Sequence, residues 1–156
     1  MRKRRFGNFC FLEVSGVMKR KIFSILWMVI SLFCMVACGG KGKVVCEITN
    51  QTETRVVITV SEATENATVI DCMEYLAEKA DFAYTISSGM VTEINGKANT
   101  ADFSGCWMLY TSDAELSNTE WGTIDCDGKR IASAIVGAEV LPVVAGEMYV
   151  WEYVQF

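Results

Sequence analysis

From Val44 to the C-terminus, apolar residues recur mostly at every second position, with one stretch where the interval lengthens to three or four. Val44-Val-Cys-Glu-Ile-Thr49 and Arg55-Val-Val-Ile-Thr-Val60 are β-branched runs parted by the polar Asn50-Gln-Thr-Glu-Thr54, which predicts two strands. Thr68-Val-Ile-Asp71 then reads as a helix start, because a carboxylate three residues beyond a capping threonine reaches back to the unpaired N–H groups there. Val69, Met73, Leu76, Ala77 and Ala80 recur at helical spacing, and Asp71, Glu74, Glu78 and Lys79 lie mostly off that stripe. Further strands are predicted over 82–86, 90–94, 106–111, 121–126, 131–136 and 148–156, with Asn95-Gly96 and Asp127-Gly128 as tight-turn dipeptides. The single proline, Pro142, falls in a connection. The expected fold class is α+β, with a single amphipathic helix packed on a mostly antiparallel sheet.

A different pattern precedes this domain. Ile22 to Ala37 carries no charge and follows directly on Lys19-Arg-Lys21. A helix of that length rises roughly 24 Å, short of the roughly 30 Å hydrocarbon core that a spanning helix fills. A basic flank, a short apolar stretch and small residues before a boundary instead match an export signal. The boundary Met35-Val-Ala-Cys38-Gly39 resembles the lipobox of bacterial lipoproteins, where a diacylglycerol is attached to the cysteine and the chain is cut before it, with Met35 where leucine is more usual. This predicts a leader over 1–37, a lipidated Cys38 followed by a flexible tether to Lys43, and one domain over 44–156. Met18-Lys-Arg-Lys reads as a better start than Met1. Ordinary cleavage beside an incidental cysteine, or an uncleaved anchor, is the alternative. Several acyl chains on one residue suffice for stable anchoring, so the expected location is the extracytoplasmic side of the cell membrane or the outer envelope surface.

Cutting at Cys38 changes the charge. The whole chain is −5, but the leader holds seven of its 14 Lys and Arg and only Glu13 among the acids, so residues 38–156 carry −11. A surface that acidic repels nucleic acid. No histidine is present, which removes the usual general base and the commonest metal ligand together. No nucleophile elbow, phosphate loop or dinucleotide fingerprint occurs either. The expectation is a protein that is not an enzyme and has no cofactor and no metal.

Four cysteines, Cys46, Cys72, Cys106 and Cys126, remain after Cys10 and Cys34 leave with the leader and Cys38 is lipidated. An even number in an exported protein permits two disulfides in three connectivities. If 106–111 and 121–126 form a symmetric hairpin, Cys106 faces Cys126 with Cβ atoms about 4.5–5.5 Å apart. Cys46 and Cys72 then meet across the sheet–helix interface, the alternative being four buried free thiols. The last strand alternates Tyr149, Trp151 and Tyr153 on one face with Met148, Val150, Val154 and Phe156 on the other. Only one face is needed for the helix, so the aromatic row, with Trp107 and Tyr110 nearby, is a candidate exposed binding surface, against the plainer reading of cross-strand packing.

Thr68-Val-Ile-Asp-Cys-Met-Glu-Tyr-Leu76, Val91-Thr-Glu-Ile-Asn-Gly96, Cys106-Trp-Met-Leu-Tyr110 and Gly146-Glu-Met-Tyr-Val-Trp-Glu-Tyr153 resemble, in order and wording, the transcobalamin-like C-terminal domain family over about 68–153. The resemblance implies a β-grasp-like α+β domain of the kind found in bacterial surface proteins and lipoproteins. In the animal cobalamin carriers a similar domain closes over a corrinoid. Thr111-Ser-Asp113 departs from the family's usual turn after the Trp-Met-x-Tyr strand. The functional expectation is an exported, lipid-anchored, non-catalytic binding or interaction module for an unknown protein or small-molecule ligand. The alternative is a lipoprotein that binds a small molecule, a corrinoid among the candidates.

Overall fold

The computed structural model describes residues 41–156. The leader, the lipobox with Cys38 and the first residues of the tether lie outside the described residues.

Among the described residues ten regular elements follow one another: β1 (Val44–Gln51), β2 (Arg55–Ala63), α1 (Val69–Lys79), β3 (Tyr84–Ser87), β4 (Met90–Ile94), β5 (Lys97–Ala98), β6 (Gly105–Thr111), β7 (Ser117–Cys126), β8 (Lys129–Ala134) and β9 (Met148–Gln155). Every ladder between them is antiparallel. Six strands form one sheet in the order β1-β2-β9-β6-β8-β7, and β3-β4-β5 form a second. Among the described residues the α+β expectation of one helix with a mostly antiparallel sheet therefore holds. Among the described residues no helix is long and apolar enough to cross a membrane.

The helix starts where the sequence places it. The Thr68 N–H donates to the Asp71 carboxylate at 2.8 Å and the Thr68 hydroxyl to the same oxygen at 3.1 Å. The next N–H groups of the first turn have no intrahelical acceptor. Val69 donates instead to the Leu141 carbonyl (3.0 Å) and Ile70 to the Ala138 carbonyl (3.1 Å), which fastens the 138–141 connection to the helix. Val69, Cys72, Met73 and Leu76 are buried against Cys46, Val56, Ile58, Val60, Tyr149 and Trp151 of the sheet. The alternate residues of the sheet fill a second, smaller core in which Val57, Tyr110, Cys126, Ile131 and Val150 meet. Both faces of the central strands are thus covered, one by the helix and the other by the curl of the β7–β8 hairpin over the sheet.

Turn chemistry sets the pairing. Ser88-Gly89, Asn95-Gly96 and Asp127-Gly128 all have two successive positive φ values, the signature of a tight hairpin turn. The last of these makes β7 and β8 the local hairpin, so the expected pairing of 106–111 with 121–126 does not form. β6 lies instead between β9 and β8. Strand β7 also begins earlier than expected, at Ser117, and is interrupted. Asn118 pairs with Ser133 and Thr123 with Ala132, so residues 119–122 bulge out between consecutive pairs.

The chain is fastened to the domain before β1 begins. Lys43 and Thr64 exchange backbone and hydroxyl hydrogen bonds of 2.9 Å. A Cβ on Gly42 would lie 2.2 Å from the Ala67 Cα, so only glycine fits this approach. Of the expected flexible tether, residues 41–43 are therefore held, which the glycine content alone does not reveal.

Candidate binding groove

The aromatic row sits differently from expectation. Tyr149 and Trp151 face the helix and are buried, as is Trp107, and Tyr153 is partly covered beside them. Tyr110 is buried on the opposite face, in the second core. The row is thus core and not an exposed patch, because β9 is central and each of its faces packs into one of the two cores. Tyr149 donates to the Pro142 carbonyl (3.3 Å) and accepts from the Val144 N–H (2.9 Å). Burial pushes its phenol up to about 12, against the lowering by the Val144 hydrogen bond. Tyr153 meets Trp107 edge to face, with ring centroids 5.5 Å apart, and carries the Lys97 ammonium 4.4 Å above its ring.

All four cysteines are free thiols. Cys106 stands opposite Val154 of β9 and Cys126 opposite Lys129 of β8, so the direct opposition expected of them is absent. Cys46 and Cys72 do meet, 4.0 Å apart, with the Cys46 thiol 3.7 Å from the Cys72 carbonyl. Contact with Cys46, reinforced by burial, holds the Cys72 thiol well above its ordinary range. Burial raises Cys106 and Cys126 as well. Among the described residues no group of three or more potential ligands could hold a metal ion.

A groove of about 380 Å³ opens instead at the free part of the β6 edge. Strand β8 pairs with β6 only at Tyr110 and Thr111 and then diverges, leaving Gly105–Leu109 without a strand on that side. The gap is walled by the start of β4, the loop before β6, the β7 bulge and the segment after β8. Val91, Trp107, Leu109, Ala138 and Trp151 are buried at its floor, while Met90, Phe103, Trp121, Ile135 and Val136 are exposed at its rim. Cys106, half-buried, also lines it.

Each rim residue is placed by a specific local device. The Glu120 N–H donates to the Asn118 side chain (2.8 Å), the Ser133 hydroxyl to the Trp121 carbonyl (3.3 Å), and Gly122 turns the chain back at φ +121°. Trp121 is left 59% exposed at the tip of the bulge. Phe103, 52% exposed, has φ +58°, a conformation non-glycine residues seldom adopt. It is held there by Asp102, whose carboxylate accepts from the Ser104 hydroxyl (2.8 Å) and N–H (3.1 Å). Those Ser104 bonds draw the Asp102 carboxyl down to about 2. Met90 follows the Ser88-Gly89 turn directly.

The sequence pattern brings Trp107 and Trp151 to this groove, though as floor and not as surface; Tyr110, Tyr149 and Tyr153 lie elsewhere. Phe103 and Trp121 are missed by periodicity because neither follows strand alternation. The available signals were an aromatic among turn formers in Asp102-Phe-Ser-Gly105 and a Trp-Gly pair at 121–122. There are two larger depressions: one, whose lining is mostly apolar, flanks Lys41, Glu74 and Glu78, and the other, more polar, flanks Glu53, Asn95 and Lys97. Neither gathers exposed apolar side chains as the β6 groove does. No family model, curated protein or solved structure matches the chain.

Proposed function

We propose that this protein is an exported, lipid-anchored and non-catalytic binding module, carried on Cys38 and binding its ligand in the β6-edge groove. One observation carries the binding part of the reading. Of the nine large hydrophobic residues exposed among the described residues, five converge on this single groove. Scattered apolar residues are ordinary on a protein surface, but a contiguous set marks an interaction site. The lipid anchor is supported by the Met35–Gly39 pattern and the short apolar run before it. The β-grasp-like architecture and the likeness to the transcobalamin-like C-terminal domain family are supported by the order of motifs and by one helix laid across an antiparallel sheet.

Two measurements test this. Cells expressing the full chain and fed labelled palmitate should incorporate it into the protein, and the Cys38→Ala chain should not; label in both, or in neither, removes the anchor. A neutral dye that fluoresces in apolar surroundings should bind the protein with one-to-one stoichiometry, and Trp121→Ala with Phe103→Ala should abolish that binding. Unchanged dye binding in the double variant removes the groove as the site.

A further inference from the structure

We infer that the groove takes an extended peptide segment of a partner protein, added as a short strand against the open edge of β6, with apolar side chains at its centre and Lys or Arg at its flanks. The inference rests on the groove being the binding surface and adds the chemical class of its occupant.

The groove runs along the edge of β6 and not over one of its faces. Consecutive side chains of a strand point to opposite faces. A space that touches Cys106, Trp107, Met108 and Leu109 alike therefore lies along the main chain between those faces. β9 occupies the other edge, where it pairs with every residue from Gly105 to Thr111. The Trp107 main-chain N–H donates to the Asn99 side chain at 2.9 Å, and Asn99 also lines the groove. Trp107 thus turns its main-chain groups to the groove side. Alternate residues of an antiparallel ladder turn theirs to the same edge, so Leu109 does likewise.

Part of that edge is already covered. Thr100 donates its N–H to the Gly105 carbonyl at 2.8 Å, and its hydroxyl accepts from the Gly105 N–H at 2.8 Å. With Asn99, this covers the edge as far as the Trp107 N–H. The Trp107 carbonyl and the Leu109 N–H come next, and the ladder with β8 begins only at Tyr110. A strand laid alongside presents an N–H and a C=O at that spacing. The opposite wall is again a run of consecutive residues, Ala134 to Ala138. A slot between two stretches of main chain that part from a common ladder has the shape of a missing strand. Along Cys106–Leu109 it has room for about four extended residues. Natural edge strands are guarded by charges, proline or a bulge, and Cys106–Leu109 has none of these.

Charge defines the flanks. The lining itself carries no charged side chain, so an apolar centre is favoured there. Every charged residue adjacent in the chain to a lining residue is acidic: Asp102, Glu120, Glu139 and Glu152. Glu152 is paired with Arg55, which leaves Asp102, Glu120 and Glu139 exposed. The Glu139 carboxylate reaches the Ser88-Gly89 turn, 3.5 Å from where a Cβ on Gly89 would lie. Cationic residues at the two ends of an apolar segment complement this arrangement.

The capped peptide Lys-Lys-Val-Thr-Val-Thr-Val-Lys-Lys tests the inference. It is titrated by calorimetry into the full chain held in nanodiscs of zwitterionic lipid, with empty nanodiscs as the blank, and should bind one to one. N-methylation of the three Val residues, or of the two Thr residues, strips the donors from one edge of the peptide. At least one of these forms should bind about tenfold more weakly, the loss of one to two net hydrogen bonds. The peptide with Glu in place of Lys should not bind, and Glu120→Lys with Glu139→Lys in the protein should reverse that preference. Equal affinity of the parent peptide and both N-methylated forms overturns strand addition. Binding of the Glu-flanked peptide as tightly as the Lys-flanked one overturns the cationic flanks. No peptide binding by protein that still takes up the neutral dye overturns the peptide occupant and leaves the groove to a small molecule, whereas loss of dye binding as well removes the groove itself.

Discussion

Arg55 on β2 donates a hydrogen bond of 3.1 Å to the backbone carbonyl of Asp125 near the tip of the β7–β8 hairpin, although three strands separate β2 from β7 in the sheet. The same guanidinium pairs with Glu152, its direct partner across the β2–β9 ladder. The sheet curls far enough for its sixth strand to touch its second, and that curl covers Val57 and Val150. Arg55→Ala is expected to lower stability by about 1–3 kcal/mol, because Glu152 and the Asp125 carbonyl lose a partly buried charged donor together. Arg55→Lys should recover little of this, since one ammonium does not reproduce the fork that spans both acceptors. Urea unfolding of the three proteins measures it, and an Arg55→Ala midpoint equal to that of the parent would show that the hairpin is held by its apolar contacts alone.

Gly105 is fixed by a neighbour and not by its own backbone angle. A Cβ there would sit 2.6 Å from the Tyr153 hydroxyl, which donates to the Ala98 carbonyl at 3.3 Å. Gly105→Ala should cost about 1–3 kcal/mol as an overpacking change. In the Tyr153→Phe background the same substitution should cost less, because the atom it strikes is gone. A thermal-melt double-mutant cycle reads the difference, and strict additivity would rule out this contact as the cause.

Tyr149 predicts an alkaline limit. Its folded-state value of about 12 lies above the ordinary 10, so the neutral phenol is the form that the fold stabilises. That contribution is complete below pH 10 and is lost as pH rises through 12, amounting to about 2–3 kcal/mol for a fully buried ring. Tyr149→Phe should be less stable at neutral pH, with the Val144 N–H left unpaired, yet should lose less on going from pH 9 to pH 12. Parallel stability profiles for the two proteins across that window would contradict the assignment.

Cys46 and Cys72 are placed to join under oxidising conditions. They approach to 4.0 Å between β1 and the first turns of α1. Oxidation by a disulfide-donating thiol oxidoreductase would leave the pair lighter by two hydrogens and stabilise the domain by about 3 kcal/mol, given the length of chain enclosed. Peptide mapping without reductant should find the 46–72 link, with Cys106 and Cys126 alkylated after unfolding. A 106–126 link, or four alkylated cysteines from oxidised protein, would refute this.

Much of the fold was legible because local chemistry and the global arrangement agree. Thr68 and Asp71 mark the helix start, Val69, Met73 and Leu76 its buried stripe, and Asn95-Gly96 and Asp127-Gly128 the turns. Strand partners were less legible, since pairing is a long-range property. Cys106–Thr111 looks like the neighbour of the next strand in sequence, yet its main partner is β9, at the far end of the chain. The faces of β9 were ambiguous for a simpler reason: Tyr149, Trp151 and Tyr153 alternate with Met148, Val150, Glu152 and Val154, and one carboxylate among apolar residues does not tell inside from outside. The groove was least legible. Its floor residues Trp107 and Trp151 stand out in the sequence, whereas its rim depends on Gly122 and on the positive φ of Phe103, which interrupt periodicity instead of following it.

The division of labour around the β7 bulge bears on how such a protein diversifies. Trp121 and its three neighbours are inserted between two consecutive cross-strand pairs, and Phe103 stands on a separate loop, so neither contributes a side chain to either core. Selection can therefore rewrite the letters at the rim without renegotiating the scaffold, and a library randomised at Met90, Phe103, Trp121, Ile135 and Val136 should stay folded while its members part ways in what they recognise.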